Sequence, residues 1–60
     1  MAELPNARQL RIEVCRAKAA ECRELAERAG READAIMFEH MAETWDRIAA
    51  DIEEWLTKHQ

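Results

Sequence analysis

Few side chains in this sequence belong to types that carry out chemistry, and their spacing decides what each can do. Cys15 and Cys22 are the only cysteines and stand seven residues apart. A zinc-type site needs two sulfurs on one ion, supplied by short spacings such as C-x₂-C or by ligands from elsewhere. On one helix these thiols lie about 10 Å apart along the axis. That is too far for a shared ion, and beyond the ~7 Å between Cα atoms that a disulfide tolerates. Both fall on an alanine-rich stripe, where cysteine serves as a small apolar filler. Core packing is the expectation, and an interchain disulfide between copies is the sharper alternative.

His40 with Glu39 and Glu43 is the second constellation. Di-iron bundles use Glu-x-x-His with further glutamates, whereas here the order is His40-x-x-Glu43. His40 and Glu43 also fall on the far side of their helix from Ile52, which predicts a solvated face. His59 lies in a C-terminal stretch expected to fray. Thr44 and Thr57 are the only hydroxyl side chains, since serine and tyrosine are absent. No glycine-rich phosphate loop is present, and no nucleophile–base–orienter set can be assembled from the spacing. The expectation is a protein that is not an enzyme, with no catalytic residue, no cofactor and no metal ligand.

The elements that carry these residues are helical. Phe38, Met41, Ala42, Trp45, Ile48, Ala49, Ile52, Trp55 and Leu56 share one face when read at about 100° per residue. Glu39, Glu43, Asp46, Glu53 and Glu54 cover the opposite side. The apolar arc contains two overlapping seams. Met41, Trp45, Ile48, Ile52 and Trp55 form one; Phe38, Ala42, Trp45, Ala49, Ile52 and Leu56 form the other. A single partner helix covers a stripe, and this arc is wider than one stripe.

The first half of the chain is complementary. Ile12, Cys15, Ala19, Cys22, Ala26 and Ala29 recur at steps of 3, 4, 3, 4, 3, a seam of mostly small residues. Such a thin face lets a neighbouring helix come close, and the bulky second half supplies groups to fill the gap. Asn6 suits an N-cap, with Gln9 completing a capping box, after a short tail over 1–5. Gly30, the only glycine, is expected at the C′ position of the first helix in the left-handed conformation. The second helix then begins between Arg31 and Ala33, or with Asp34 as its cap. The fold class is all-α: an antiparallel two-helix hairpin over about 7–29 and 32–58, one domain spanning 1–60. Glu24/Arg28, Glu27/Arg31, Glu43/Arg47 and Glu54/Lys58 are spaced for i,i+4 ion pairs.

Net charge is −4 and unevenly divided, with +2 over residues 1–31 and −6 over residues 32–60. An acidic total argues against nucleic acid as a partner, and the asymmetry reads as attraction between antiparallel helices. The first ten residues lack the apolar core of a signal peptide. No apolar run approaches the ~20 residues of a membrane span. A reducing cytoplasm with free thiols is the expected setting, without nucleic-acid or membrane partners.

The stretches Ala20-Glu21-Cys22-Arg23-Glu24-Leu25-Ala26 and Met41-Ala42-Glu43-Thr44-Trp45-Asp46-Arg47-Ile48-Ala49 resemble a group of short uncharacterised proteins of rhizobia and other alphaproteobacteria. That group shows A-E-C-x-x-L-A in a first helix and M-A-x-x-W-x-x-L-A in a second. The likeness spans residues 19 to about 50. It departs at Ile48, where leucine is usual, and at Gly30-Arg31, where the turn often contains Asp-Pro. It implies a bacterial cytoplasmic helical hairpin and contributes no catalytic residue.

Sixty residues give a domain at the lower edge of independent stability. The expected state is therefore a homodimer forming a four-helix bundle, with higher oligomers as an extension. Its interface is expected to draw on both helix-two seams and on Cys15, Ala19 and Cys22. The function expected is a structural or interaction module that binds itself. The alternative is a regulatory or antitoxin-like protein that offers the apolar face of helix two to another protein. A third class is metal or redox binding within an oligomer.

Overall fold

From Ala7 onward the chain contains one glycine and no proline, so nothing interrupts a helix except at Gly30. Alanine, glutamate, arginine and leucine, all strong helix formers, fill most of the remainder. The computed structural model describes residues 7–59 and resolves them into two α-helices, α1 (Ala7–Arg28) and α2 (Glu32–Lys58). The helices contain 22 and 27 residues, which corresponds to about 33 and 40 Å. They run antiparallel and pack along their lengths as a hairpin. The expected Asn6 cap and the 1–5 tail lie outside the described residues.

The three-residue connection is Ala29-Gly30-Arg31. Ala29 N–H donates to the Ala26 carbonyl at 3.3 Å, tightening the last turn of α1. Arg31 is extended (φ −117°, ψ 140°) and makes no side-chain cap bond. Its carbonyl accepts from Ala35 N–H at 3.1 Å, which opens α2. Asp34 is thus not the cap. With Glu32 it places carboxylates in the first turn, against the positive end of the helix dipole. Arg28 and Lys58 match the opposite ends of α1 and α2.

Gly30 does not adopt the left-handed conformation expected of it, because no described glycine has a positive φ. α1 ends at Arg28, and the chain reverses through ordinary negative-φ backbone without the αL step of a Schellman cap. A Cβ built on Gly30 would meet nothing within 4 Å.

Five of the six α1 seam residues are buried: Ile12, Cys15, Ala19, Cys22 and Ala26. On α2 the fully buried residues are Ala42 and Ala49, at 1% and 0% exposure. Phe38, Trp45, Ile52 and Leu56 around them are half-buried. The thin face of α1 therefore does not meet a thick one along its midline. Alanine meets alanine and cysteine there, the backbones close up, and the large α2 side chains are displaced to the flank. Two clusters result. Ile12, Cys15 and Ala49 pack with Trp45, Ile52 and Leu56, and Ala19, Cys22 and Ala42 pack with Trp45. The Phe38–Leu56 seam is thus the one spent inside the chain.

Because Gly30 uses neither a positive φ nor a close approach, Gly30→Ala should stabilise the fold. The expected gain is about 0.4–1 kcal/mol, through reduced freedom of the unfolded chain. Urea or thermal melts of the two proteins measure it. A loss of stability would restore the left-handed cap.

Candidate functional site

The residue types singled out for chemistry occupy unlike places. Cys15 and Cys22 are buried free thiols at 6% exposure each. Both pack inside the hairpin with Ala42 or Ala49 as neighbours. Their position on the thin seam, legible from spacing, is what the structure shows. His40 and Glu43 are 77% and 70% exposed, with 3.8 Å between His40 Nδ1 and Glu43 Oε1. Nothing further joins them: among the described residues, no group of three or more His, Cys, Asp or Glu side chains is placed to hold a metal ion.

The two hydroxyls are used by the backbone. Thr44 Oγ1 donates to the His40 carbonyl and Thr57 Oγ1 to the Glu53 carbonyl, both at 3.0 Å. These are bonds back to the preceding turn. Neither hydroxyl is set beside a base. His59 differs from expectation. Its ring stacks on Trp55 with centroids 4.0 Å apart and planes 11° from parallel. The Arg8 guanidinium lies 3.8 Å from the centroid of a Trp55 ring. Trp55 is thereby gripped by the first turn of α1 and the last residue described, an arrangement the i,i+4 spacing of Trp55 and His59 allows.

On one edge of the hairpin the charges converge. Asp46 Oδ1 accepts from Arg16 Nη1 at 3.0 Å, and Asp46 Oδ2 accepts from Arg23. Arg16 Nη2 reaches Glu53 Oε1 at 3.0 Å. One carboxylate thus bridges two arginines one helical repeat apart on α1, and Arg16 bridges onward to Glu53. Of the four i,i+4 pairs expected, Glu54–Lys58 forms, at 3.2 Å. The basic first half and acidic second half attract through specific cross-helix bonds. The Asp46 carboxyl is held below the ordinary aspartate range, first by the hydrogen bond from Arg23 and then by that from Arg16; partial desolvation opposes them. Arg16 is raised in turn, chiefly by the bond to Asp46. Beside this edge Arg23, Ala26, Glu27, Glu39 and Glu43 line a shallow hollow of about 240 Å³.

The other edge is apolar and open. On α1, Arg11, Val14, Lys18 and Leu25 flank the buried stripe on the side away from Arg16 and Arg23. On α2, Met37, Met41, Ile48 and Trp55 occupy the side away from Asp46 and Glu53. Met41, Ile48 and Trp55 remain 41–42% exposed, Met37 48%, Leu25 43% and Val14 54%. By helical phase these residues lie on the same side of the hairpin, with Arg11 and Lys18 among the apolar groups and the half-buried Trp45 and Ile52 beside them. Near its end Arg8, Arg11, Asp51, Ile52 and Trp55 line a second hollow of about 320 Å³. Of the residues expected at an interface, Cys15, Ala19, Cys22, Ala42 and Ala49 are committed to the chain's own helix contact, whereas Met41 and Ile48 are open and Trp55, though held by Arg8 and His59, stays 41% exposed. Met37, Val14 and Leu25 join this face although the sequence reading left them out. Their phase relative to the buried stripe was the available signal.

No protein family, no curated protein and no solved structure matches this chain. No helix among the described residues is long and apolar enough to cross a membrane.

Two outcomes follow. Thiol titration of the native protein should be slow at both cysteines and become fast on denaturation; fast native reaction would place them outside the contact. Asp46, with its native pKa lowered, adds stability above the ordinary aspartate value of about 3.9, and that contribution disappears as pH falls through the native value. The gap in melting temperature between wild type and Asp46→Asn should therefore be widest near neutral pH and low salt, and close on acidification. A gap that does not change with pH would remove the cross-helix bonds as its source.

Proposed function

We propose that this chain is a small acidic cytoplasmic module that acts by self-association, two hairpins forming a four-helix bundle, and that it catalyses no reaction. The observation that carries the reading is the open Met41–Ile48–Trp55 face. The Cα trace measures 47 × 24 × 11 Å, one helix thick, and among the described residues no second layer covers this face. Re-covering side chains that are about two-fifths exposed recovers roughly 1 kcal/mol apiece. That is a large share of what so small a domain can muster.

The absence of catalysis rests on how the reactive groups are used. Both thiols are packed against alanine, and both threonine hydroxyls are bonded to their own helix. Free thiols in that seam suit a reducing compartment. A second reading has one observation in its favour. Met37 and Met41 are exposed side by side, and methionine adapts to varied apolar surfaces, as a regulatory or antitoxin-like protein binding a different chain would require.

The test uses charges placed on the open face, where they do not touch the buried alanines. Wild type should sediment as a dimer or larger species and melt at a temperature that rises with concentration. Met41→Lys with Ile48→Lys should weaken assembly at least about a hundredfold, or about 2.7 kcal/mol. A wild type that stays monomeric at every concentration, with a melting temperature independent of dilution, would sink the reading.

A further inference from the structure

Two hairpins can stack face to face in two symmetric ways. With the two-fold axis across the helices, α1 lies on α1 and α2 on α2. With the axis parallel to the helices, α1 of each copy lies on α2 of the other. We propose the second arrangement: the open face is covered by a second copy whose α1 runs antiparallel along α2. This rests on the self-association reading above and adds to it the partner's orientation and register.

Register is fixed by contacts within the chain. Cys15 packs with Ala49, so in this antiparallel pair Val14 is level with Ala50, between Ile48 and Ile52. Cys22 packs with Ala42, so Leu25, one turn further along α1, is level with the stretch between Met37 and Met41. Arg11, about one turn before Cys15, is level with Glu53 and lines the same hollow as Asp51. A rotation about an axis parallel to the helices keeps every level unchanged. The partner's Val14 then falls between Ile48 and Ile52, its Leu25 between Met37 and Met41, and its Arg11 within one turn of Asp51. Apolar side chains then meet along the face, and Arg11 comes near the opposite charge of Asp51.

The alternative axis reverses the levels. It would still bring apolar α2 groups together, but it would lay the Arg11 and Lys18 edge of α1 on the same edge of its copy. Lys18 lies near the middle of that edge and would confront itself at the axis. Like charges across an interface are penalised strongly enough to select register. In the favoured arrangement Lys18 runs its stem along the flank of the partner's Trp45 and carries its ammonium to the rim. Extents of 47 × 24 Å across the Cα trace leave room for the roughly 800 Å² per partner of a standard interface.

The experiment leaves the chain unaltered. Equal amounts of ¹³C-labelled and unlabelled protein are mixed, unfolded and refolded, and isotope-filtered NOEs report contacts between copies alone. Sedimentation on the same sample reports its size. Intermolecular Val14–Ile48 methyl NOEs and Leu25–Met41 NOEs are the expected result. A dimer that instead shows Met41–Ile48 and Met37–Trp55 contacts between copies, or shows neither set, overturns the arrangement and leaves self-association standing. A monomer throughout removes both.

Discussion

The contact of Ala42 and Ala49 with Ile12, Cys15, Ala19 and Cys22 sets the distance between the two helices, and most other features follow from that distance. Small side chains on both midlines let the backbones approach, as at small-residue helix contacts generally. Close approach leaves no room for a tryptophan or phenylalanine between the axes. Among the described residues Ile12, at 4% exposure, is the bulkiest buried side chain; the bulky groups of α2 are pushed to the flank. The hairpin gains tight packing along a narrow stripe and, by the same geometry, acquires an unsatisfied apolar face.

The two edges of the slab answer this in different ways. On one, Asp46 holds Arg16 and Arg23, and Glu53 extends the network. These groups are partly solvated, so they pin relative rotation and sliding of the helices more than they add stability. The pin has a directional effect. With Asp46 tied to two arginines on α1, α2 cannot roll to bring Met41 and Ile48 inward without breaking those bonds. Ion pairing on one edge thus keeps the apolar side chains displayed on the other.

Much of this was readable before any coordinates. The helix boundaries came within one residue of the observed ends, because a lone glycine between two uninterrupted amphipathic stretches leaves few other solutions. The α1 seam was also legible, since its 3–4 repeat is a local property. What could not be read is non-local or permissive. The spacing offered two seams on α2 and could not rank them; the choice depends on how closely the backbones approach, a property of both helices together. The Asp46 bridge needs the interhelical register, whereas the charge asymmetry announced only that some attraction exists. Gly30 misled because a glycine shows that a left-handed residue is allowed, not that it is used. His59 was dismissed for its position near the end, although its spacing from Trp55 is that of a stacked pair.

The stack of Arg8, Trp55 and His59 gives the hairpin a clasp. At the turn, covalent connection holds the helices together; at the opposite end only side chains do, and opening there costs no chain strain. Local unfolding in a two-helix slab therefore starts at the open end, and Trp55 is the first large group to resist it. The same indole lies on the apolar face. Anything that covers that face would therefore also brace the free end of the hairpin.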